Sequence, residues 1–195
     1  MRFFLLLLLP ALLGVSALAE DDYLPLAVGD EWTMTITISV PSGQQFEGIA
    51  HRKVEETVQK DGKTYFRVRD WTEGLPQNPD KTKLYRKDDK GLYLTDESNP
   101  DAAEDLNVLL PLKLGASWKR IIDAKPYTST VMDFGPLEVL GKNYDKCYKI
   151  RLTDADGNTV EDYWDAPGVG DVKSVLTFTN GVKATLLLKE FKPGK

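Results

Sequence analysis

The chain has 195 residues, 42% of them hydrophobic and 28% charged, and its 25 basic and 30 acidic residues give a net charge of −5. This length and composition fit a globular protein of one large or two very small domains, and they lack the basic excess that would bind nucleic acid or an anionic membrane surface. A single cysteine, Cys147, excludes a disulfide within the chain, and its place in an alternating apolar run predicts a buried, unreactive thiol.

The first 19 residues have the pattern of a secretory signal peptide. Arg2 precedes an apolar run over 3–13, and Ala17-Leu18-Ala19 fits the small-x-small pattern that a leader peptidase cuts. The apolar run is shorter than the roughly 20 residues needed to span a bilayer. We therefore expect cleavage after Ala19, a periplasmic or secreted protein without a membrane span, and a single β domain over 20–195.

A nine-residue motif occurs twice in the chain. Residues 24–32 read L-P-L-A-V-G-D-E-W, and residues 110–118 read L-P-L-K-L-G-A-S-W. In each copy a proline disfavours helix, a glycine suits a turn and a tryptophan begins a strand-like run. We call each copy a corner motif, and we interpret the chain as two pseudo-repeated meanders, at about 23–95 and 109–191, that share one core.

Alternation of apolar and polar residues predicts β-strands along the rest of the chain. In the first strand, Trp32, Met34 and Ile36 alternate with threonines, which is the two-residue period of a strand. Turn-forming pairs such as Asp61-Gly62 and Asn180-Gly181 separate neighbouring strands. The predicted strands span 32–40, 46–58, 64–71, 83–86, 92–95, 118–123, 127–139, 146–153, 159–165, 170–179 and 183–191.

One segment between the two meanders has the signals of a helix. Asn99 can cap it, Pro100 fits its first turn, and Leu106, Leu109 and Leu110 share one helical face. The sequence therefore predicts a short connecting helix over 98–110. The predicted fold class is all-β, with an antiparallel, strongly curved or barrel-like sheet and this one helix. The last four residues, from Lys192, are expected to be disordered.

The chain resembles the TapB-like family of exported bacterial proteins, whose function is unknown. The resemblance lies in Y-L-P-L-x-V-G-x-x-W at 23–32, in the second corner motif, and in C-Y-K-I-R at 147–151, which leads to Y-W-x-A-P-G-V-G at 163–170. It covers nearly the whole chain after the leader. It implies an antiparallel, curved or barrel-like sheet in a bacterial envelope protein, and it carries over no catalytic residue.

Five aromatic residues are the candidates for ligand contact. On a concave sheet face such side chains could stack on a saccharide or line an apolar site. Ordinary core packing and cross-strand pairing use the same residue types, so the structural interpretation stays open beside the functional one. The candidates are Trp71, Tyr85, Tyr93, Tyr163 and Trp164.

No residue pattern identifies a catalytic or metal site. His51 is the only histidine, which disfavours the acyl-transfer triads and zinc sites that depend on histidine. Residues 154–158, D-A-D-G-N, have the oxygen ligands of a calcium loop, but their glycine is fourth instead of sixth, so a plain turn is favoured. Carboxylate pairs for glycoside hydrolysis are available among the 30 acidic residues, and none is set apart by its surroundings. We predict no catalytic residue, metal or cofactor.

The predicted function is that of a non-catalytic binding or scaffold protein of the bacterial envelope. The informative residues form corners, turns and alternating strands, whereas an enzyme needs a few polar groups placed in an apolar cleft. The expected partner is an apolar small molecule inside the curved sheet, or another envelope protein. The alternative is a secreted hydrolase that uses carboxylates. An open interior would favour a carrier, and a filled interior would favour a scaffold.

Overall fold

The structure is a computed structural model that describes residues 22–75, 80–97 and 103–194. These residues form twelve strands, and none of them belongs to a helix that could cross a lipid bilayer. The predicted signal peptide lies outside the described residues. The strands are β1 (Glu31–Ser39), β2 (Gln45–Lys60), β3 (Lys63–Glu73), β4 (Lys81–Lys87), β5 (Gly91–Asp96), β6 (Asp105–Leu109), β7 (Ser117–Ile122), β8 (Lys125–Val139), β9 (Lys142–Thr153), β10 (Thr159–Ala166), β11 (Gly170–Thr177) and β12 (Lys183–Lys192).

The strands form one antiparallel sheet in which neighbours along the chain are also neighbours in space. The order across the sheet is β6-β5-β4-β3-β2-β1-β12-β11-β10-β9-β8-β7. Strand β1 pairs with β12 over its whole length, with one register shift between Thr33 and Met34, so the two halves of the chain join there. The two edge strands, β6 and β7, lie side by side, and the sheet is a nearly closed barrel shape. The predicted antiparallel, barrel-like sheet is confirmed.

Local sequence chemistry accounts for most of the strands. In β1, Trp32 and Met34 are buried, whereas Thr33 between them is half-buried, as the period of a strand requires. At the β2–β3 turn, Asp61 and Gly62 have φ angles of 52° and 74°, the left-handed conformation of a tight hairpin. Each of the eleven strands predicted from the sequence overlaps an observed strand.

The predicted connecting helix is wrong where the structure describes that segment. Asp105–Leu109 is strand β6, and it pairs with β5 so that Val108 lies opposite Leu92. Leucines that share a helical face also suit a short strand. The edge of β5 presents a row of backbone N–H and C=O groups with which another strand can pair. Val108 is thereby buried in the core. Residues 98–102, which include the capping signals, lie outside the described residues.

The core lies inside the barrel-shaped sheet and at the corner motifs. Trp32 and Trp118 are both buried, and six strands follow each corner motif. Each indole N–H donates to a backbone carbonyl oxygen, that of Trp32 to Val169 at 2.7 Å and that of Trp118 to Asn107 at 3.1 Å. The origin of the two halves as repeats stays a prediction. Fully buried side chains include Ile150, Val54, Val68, Val131 and Val172.

The C-terminal residues 192–194 are held in place, contrary to the expected disorder. Strand β12 extends to Lys192, and the N–H of Gly194 donates to Asp30 Oδ1 at 2.7 Å. The other oxygen of Asp30 accepts the N–H of Ala27, also at 2.7 Å. The buried Asp30 carboxylate therefore ties the first corner motif to the end of the chain.

Candidate functional site

Strand pairing shows which side chains point into the barrel-shaped sheet. Directly opposite residues of antiparallel strands point to the same side of a sheet, and successive residues alternate. The buried Trp32 lies opposite Arg52, and Arg52 lies opposite Asp70, so these side chains share the inner face. The next pair along the same strands, His51 and Trp71, belongs to the outer face.

A cavity of about 1050 Å³ lies inside the sheet. This is the upper end of the range of roughly 300 to 1,000 Å³ that small-molecule sites occupy. The interior is therefore open, which is the feature that separates a carrier from a scaffold. The apolar part of its wall comes from the first corner motif and from strands β2 to β6. Its apolar side chains include Leu24, Trp32, Val54, Val68, Leu92 and Leu94.

The first corner motif closes one end of the cavity. Residues 24–26 line the cavity. Hydrogen bonds from two distant parts of the sheet hold the segment 22–26 in place. On one side, the N–H of Gly168 in the β10–β11 turn donates to the carbonyl oxygen of Asp22 at 2.6 Å. On the other side, Lys87 Nζ at the end of β4 donates to the carbonyl oxygen of Leu24 at 2.8 Å. Residues 22–24 are thus bound at one end to the β10–β11 turn and at the other to the end of β4.

The junction of β6 and β7, which we call the seam, forms the open side of the cavity. Lys119, Ile121 and Asp123 line the cavity here and are exposed to solvent. The ladder of paired strands stops at the seam, and side chains bridge it. Arg120 Nε donates to Asp105 Oδ2 at 3.0 Å, and the backbone N–H of Ile121 donates to Asp105 Oδ1 at 2.8 Å. The seam is therefore the side on which the cavity meets the solvent.

Basic side chains face the cavity from β2 and β4. Arg52 Nε donates to Asp70 Oδ1 at 2.8 Å, and the Arg52 side chain keeps 42% of its surface accessible although it belongs to the inner face. That surface faces the cavity. The charge of Asp70 raises the pKa of Arg52 despite burial, whereas burial lowers the pKa of Lys83. Charges in an interior need partners or water, so this part of the cavity is polar.

Two acidic residues face each other across strands β10 and β11. Asp165 lies opposite Asp171, both line the cavity, and Asp165 is only 2% exposed. Within the part of the chain that the structure describes, Asp165 Oδ2, Asp171 Oδ1 and the hydroxyl of Tyr163 have no hydrogen-bond partner. Such atoms are uncommon in folded proteins, and they call for a bound water, ion or ligand. We call these three residues the acidic pocket.

Burial raises the pKa of every group in the acidic pocket. Desolvation raises the pKa of Asp171 to about 7, although the charge of Arg52 lowers it in part. Desolvation and the neighbouring Asp171 charge raise the pKa of Asp165 well above its ordinary value, and desolvation does the same for Tyr163. A carboxyl with a pKa near 7 changes its charge close to neutral pH. The charge of the acidic pocket therefore responds to what binds beside it.

The structure divides the five predicted aromatic residues between the two faces of the sheet. Tyr85 and Tyr163 line the cavity, from β4 and β10. Trp71, Tyr93 and Trp164 belong to the outer face, because the residues opposite them on adjacent strands point outward. The five are thus not brought together in one site. A binding role for any of them stays a prediction.

The three outer aromatic residues pack against polar and charged side chains. Trp71 stacks on His51, with ring centroids 4.7 Å apart. The guanidinium of Arg86 lies 4.1 Å from the Tyr93 ring centroid. Trp164 has the ammonium groups of two lysines over its ring, at 5.0 and 4.8 Å. These contacts are the cross-strand pairing that the structural interpretation of the aromatic residues expected.

The acidic pocket was not found by sequence reasoning. Glu161, Tyr163 and Asp165 alternate along β10 and share its inner face. The outer face of β10 carries Asp162 and Trp164, which are also an acidic and an aromatic residue. The alternation along β10 therefore does not show which of its faces points inward. The sequence signal for the acidic pocket is the alternation of Glu161, Tyr163 and Asp165, followed by a glycine-rich turn and then by Asp171.

Two other sequence features have the structural roles that were predicted. Asp154 lies in a turn, where its Oδ1 accepts the backbone N–H groups of Asp156 and Asn158 at 3.0 and 2.8 Å. The hydrogen bond from the Asn158 side chain, with these backbone donors, lowers the pKa of Asp154. Cys147 is buried, and burial raises the pKa of its thiol to about 11, so it is protonated and unreactive at neutral pH.

Comparisons with known proteins give distant structural similarities. No protein-family profile matches the chain, and no curated protein sequence matches it. A candidate exported protein with a YmcC-like fold from Bacteroides fragilis is 11% identical, with a TM-score of 0.49 over 86% of this chain and 97% of that chain. A candidate lipoprotein from Parabacteroides distasonis is 11% identical, with a TM-score of 0.44 over 87% of this chain and 98% of that chain. A LolA superfamily protein from Nitrosomonas europaea is 9% identical, with a TM-score of 0.38 over 86% of this chain and 87% of that chain.

These similarities carry no conclusion about function, because all three TM-scores are below 0.5 and all three identities are at or below 11%. The resemblance to the TapB-like family is not confirmed by the comparisons.

Proposed function

We propose that the protein is an exported, non-catalytic member of the TapB-like family that binds an amphiphilic small molecule inside its barrel-shaped sheet. The observation that carries this proposal is the cavity of about 1050 Å³, whose wall combines apolar side chains from the first corner motif and from β2 to β6 with acidic side chains at β10 and β11. Support for export comes from the pattern of residues 1–19, and support for the family comes from the corner motifs.

The apolar part of the wall favours the tail of such a ligand. Leu26, Leu94 and Leu176 line the cavity and are only half-buried, so they present apolar surface to it. Burying a methylene group in apolar surroundings contributes about 0.8 kcal/mol, so a chain of several methylene groups would bind measurably.

The acidic pocket favours an amphiphile over a hydrocarbon. A purely apolar occupant would offer no hydrogen bond to the unpartnered atoms of Asp165, Asp171 and Tyr163. Leaving buried polar atoms without a partner is unfavourable, and for a charged carboxylate the cost is larger still. A ligand with a polar group at one end avoids this cost while its tail covers the apolar wall.

The acidic pocket also supports a second candidate function, the secreted carboxylate-dependent hydrolase. Asp165 and Asp171 face each other, and a pKa of about 7 for Asp171 suits a general acid or base. We favour binding because the larger part of the cavity wall is apolar, which suits the tail of an amphiphile. Turnover of an ester or glycan that Asp165→Asn abolishes would establish the hydrolase instead.

The binding proposal is tested by filling the cavity with a side chain. Leu176 lines the cavity, whereas the adjacent Val175 belongs to the outer face of β11. We expect Leu176→Trp to weaken the binding of dodecanol at least ~10-fold, because the indole would occupy space that the tail needs. The measurement is displacement of the fluorescent probe N-phenyl-1-naphthylamine by dodecanol.

Val175→Trp is the matched control, because it adds the same side chain to the same strand on the opposite face. It should leave the affinity for dodecanol unchanged within about twofold. Absence of saturable binding to the wild-type chain, or an equal loss in both variants, would contradict an internal site. Urea unfolding of both variants verifies that each is folded under the conditions of the titration.

A further inference from the structure

We infer that the acidic pocket binds a primary ammonium group, which is the polar head of the ligand held in the cavity. This inference rests on the proposed binding function and adds the chemical class of the head group. It concerns Asp165, Asp171 and Tyr163, which lie on the inner face at the β10–β11 hairpin.

The unpartnered atoms of the acidic pocket match the donors of a primary ammonium group in number. Asp165 Oδ2, Asp171 Oδ1 and the Tyr163 hydroxyl oxygen can each accept one hydrogen bond. A primary ammonium group carries three N–H donors and accepts none. Because Asp165 is only 2% exposed, bulk water does not compete freely for its carboxylate. One ammonium group therefore carries enough donors for all three atoms.

The charges that line the cavity favour a cation in the same place. Seven acidic and four basic residues line the cavity, so acidic residues outnumber basic ones even when Asp165 and Asp171 are protonated. A positive group therefore complements the wall, whereas a carboxylate or phosphate would add to its negative charge. A long-chain amine without a phosphate therefore fits better than a fatty acid or an aminophospholipid.

Neighbouring charged side chains are already engaged with other partners. Arg52 donates to Asp70 at 2.8 Å, and Arg120 pairs with Asp105 at 3.0 Å across the seam. Glu161 accepts the hydroxyl of Ser174 at 2.5 Å. In the described part of the chain, the two aspartates of the acidic pocket have no such ion pair, which leaves them available to a ligand.

Binding of an ammonium group should release a proton from the acidic pocket near neutral pH. Arg52 of β2, Asp70 of β3 and Glu161 of β10 are the charged groups that face the two aspartates, and burial outweighs Arg52 so that the pKa of Asp171 is about 7. A cation placed beside Asp171 favours its ionised form and lowers that pKa again. Proton release is therefore a signature that a purely apolar contact would not give.

The test compares dodecyl compounds that share one tail and differ in the head. At pH 7 and below the critical micelle concentrations, calorimetry should find dodecylamine binding at least ~10-fold more tightly than dodecanol or dodecanoate. Dodecyltrimethylammonium, which is cationic but has no N–H donor, should bind less tightly than dodecylamine. Lysophosphatidylethanolamine, which adds a phosphate to the same ammonium group, should also bind less tightly. Repeating the dodecylamine titration in buffers of different ionisation enthalpy measures the proton release.

Neutral variants assign the effect to the acidic pocket. Combining Asp165→Asn with Asp171→Asn should weaken dodecylamine at least ~10-fold, a larger loss than for dodecanol, and abolish the proton release. Asp162→Asn is the matched control, because Asp162 lies on β10 but points outward and pairs with Arg151 at 2.7 Å. It should leave dodecylamine binding unchanged.

The outcomes separate this inference from the proposed function. If dodecanol or dodecanoate binds as tightly as dodecylamine, or if the double variant keeps its affinity for dodecylamine, the ammonium site is overturned and the binding function stands. If none of the dodecyl compounds binds, the binding function itself fails.

Discussion

Replacing Trp118 by alanine is expected to lower the free energy of unfolding by about 3 to 5 kcal/mol, the usual cost of deleting a large core aromatic side chain. Trp118 is 6% exposed, and its indole N–H donates to the carbonyl oxygen of Asn107 at 3.1 Å. Since Trp118 belongs to β7 and Asn107 to β6, the substitution removes both core volume and a hydrogen bond across the seam. Urea unfolding at equilibrium measures the effect.

Two controls separate the contributions of Trp118. Trp118→Phe keeps most of the apolar volume and loses only the hydrogen bond and part of the ring, so it should cost less than the alanine variant. Ile121→Ala removes a side chain of the same strand that is 59% exposed, and it should change the free energy of unfolding by less than about 0.5 kcal/mol. If Trp118→Ala costs only a few tenths of a kcal/mol, as is usual for a surface position, the assignment of Trp118 to the core is wrong.

The free energy of unfolding is expected to fall by roughly 2 to 4 kcal/mol as the pH rises from 5 to 8. Burial raises the pKa of Asp171 to about 7 in the folded chain. An unfolded aspartate has a pKa of about 3.9, so the folded chain binds the extra proton between these two values. The stabilisation is therefore complete below the unfolded pKa, is lost as the pH rises through the folded pKa, and then levels off.

Asp171→Asn tests the origin of this pH dependence. The variant should be more stable than the wild-type chain at pH 8, equal to it within error at pH 4, and less sensitive to pH between them. For Asp162, burial is outweighed by hydrogen bonds from Arg151 and Lys149, so its pKa is lowered. Asp162→Asn should therefore destabilise the chain at pH 7 and have less effect at low pH. A wild-type stability that is flat or rises between pH 5 and 8 would show that Asp171 is not desolvated as the structure indicates.

Most of the strands could be predicted from the sequence because their signals are local. At Asn180-Gly181, for example, the turn depends on residues within the hairpin itself, and the N–H of Gly181 donates to the carbonyl oxygen of Phe178 at 2.9 Å. Strand β6 was missed because it has only five residues and its conformation depends on pairing with β5. A five-residue segment carries little information of its own, and the tertiary partner decides its structure.

The site was harder to predict than the fold, because it depends on which face of each strand points inward. Tyr163 faces the cavity and Trp164 faces outward, yet both are aromatic residues beside acidic ones. The pairing of Asp165 with Asp171 also depends on a register shift between Trp164 and Asp165, which no short-range pattern announces. Only the strand pairing within the nearly closed sheet places the two aspartates in one cavity.

The most direct test of the proposed ligand-binding cavity is to measure the mass of the protein together with any bound ligand. Native mass spectrometry, on protein purified without detergent from the cells that naturally produce it, should show the chain with one small amphiphile bound. Organic extraction should recover that compound, and Leu176→Trp, which fills the cavity, should carry none while Val175→Trp carries the same mass as the wild-type chain. The bare mass of the chain in all three preparations, together with no saturable uptake of dodecanol, would contradict a ligand-binding interior.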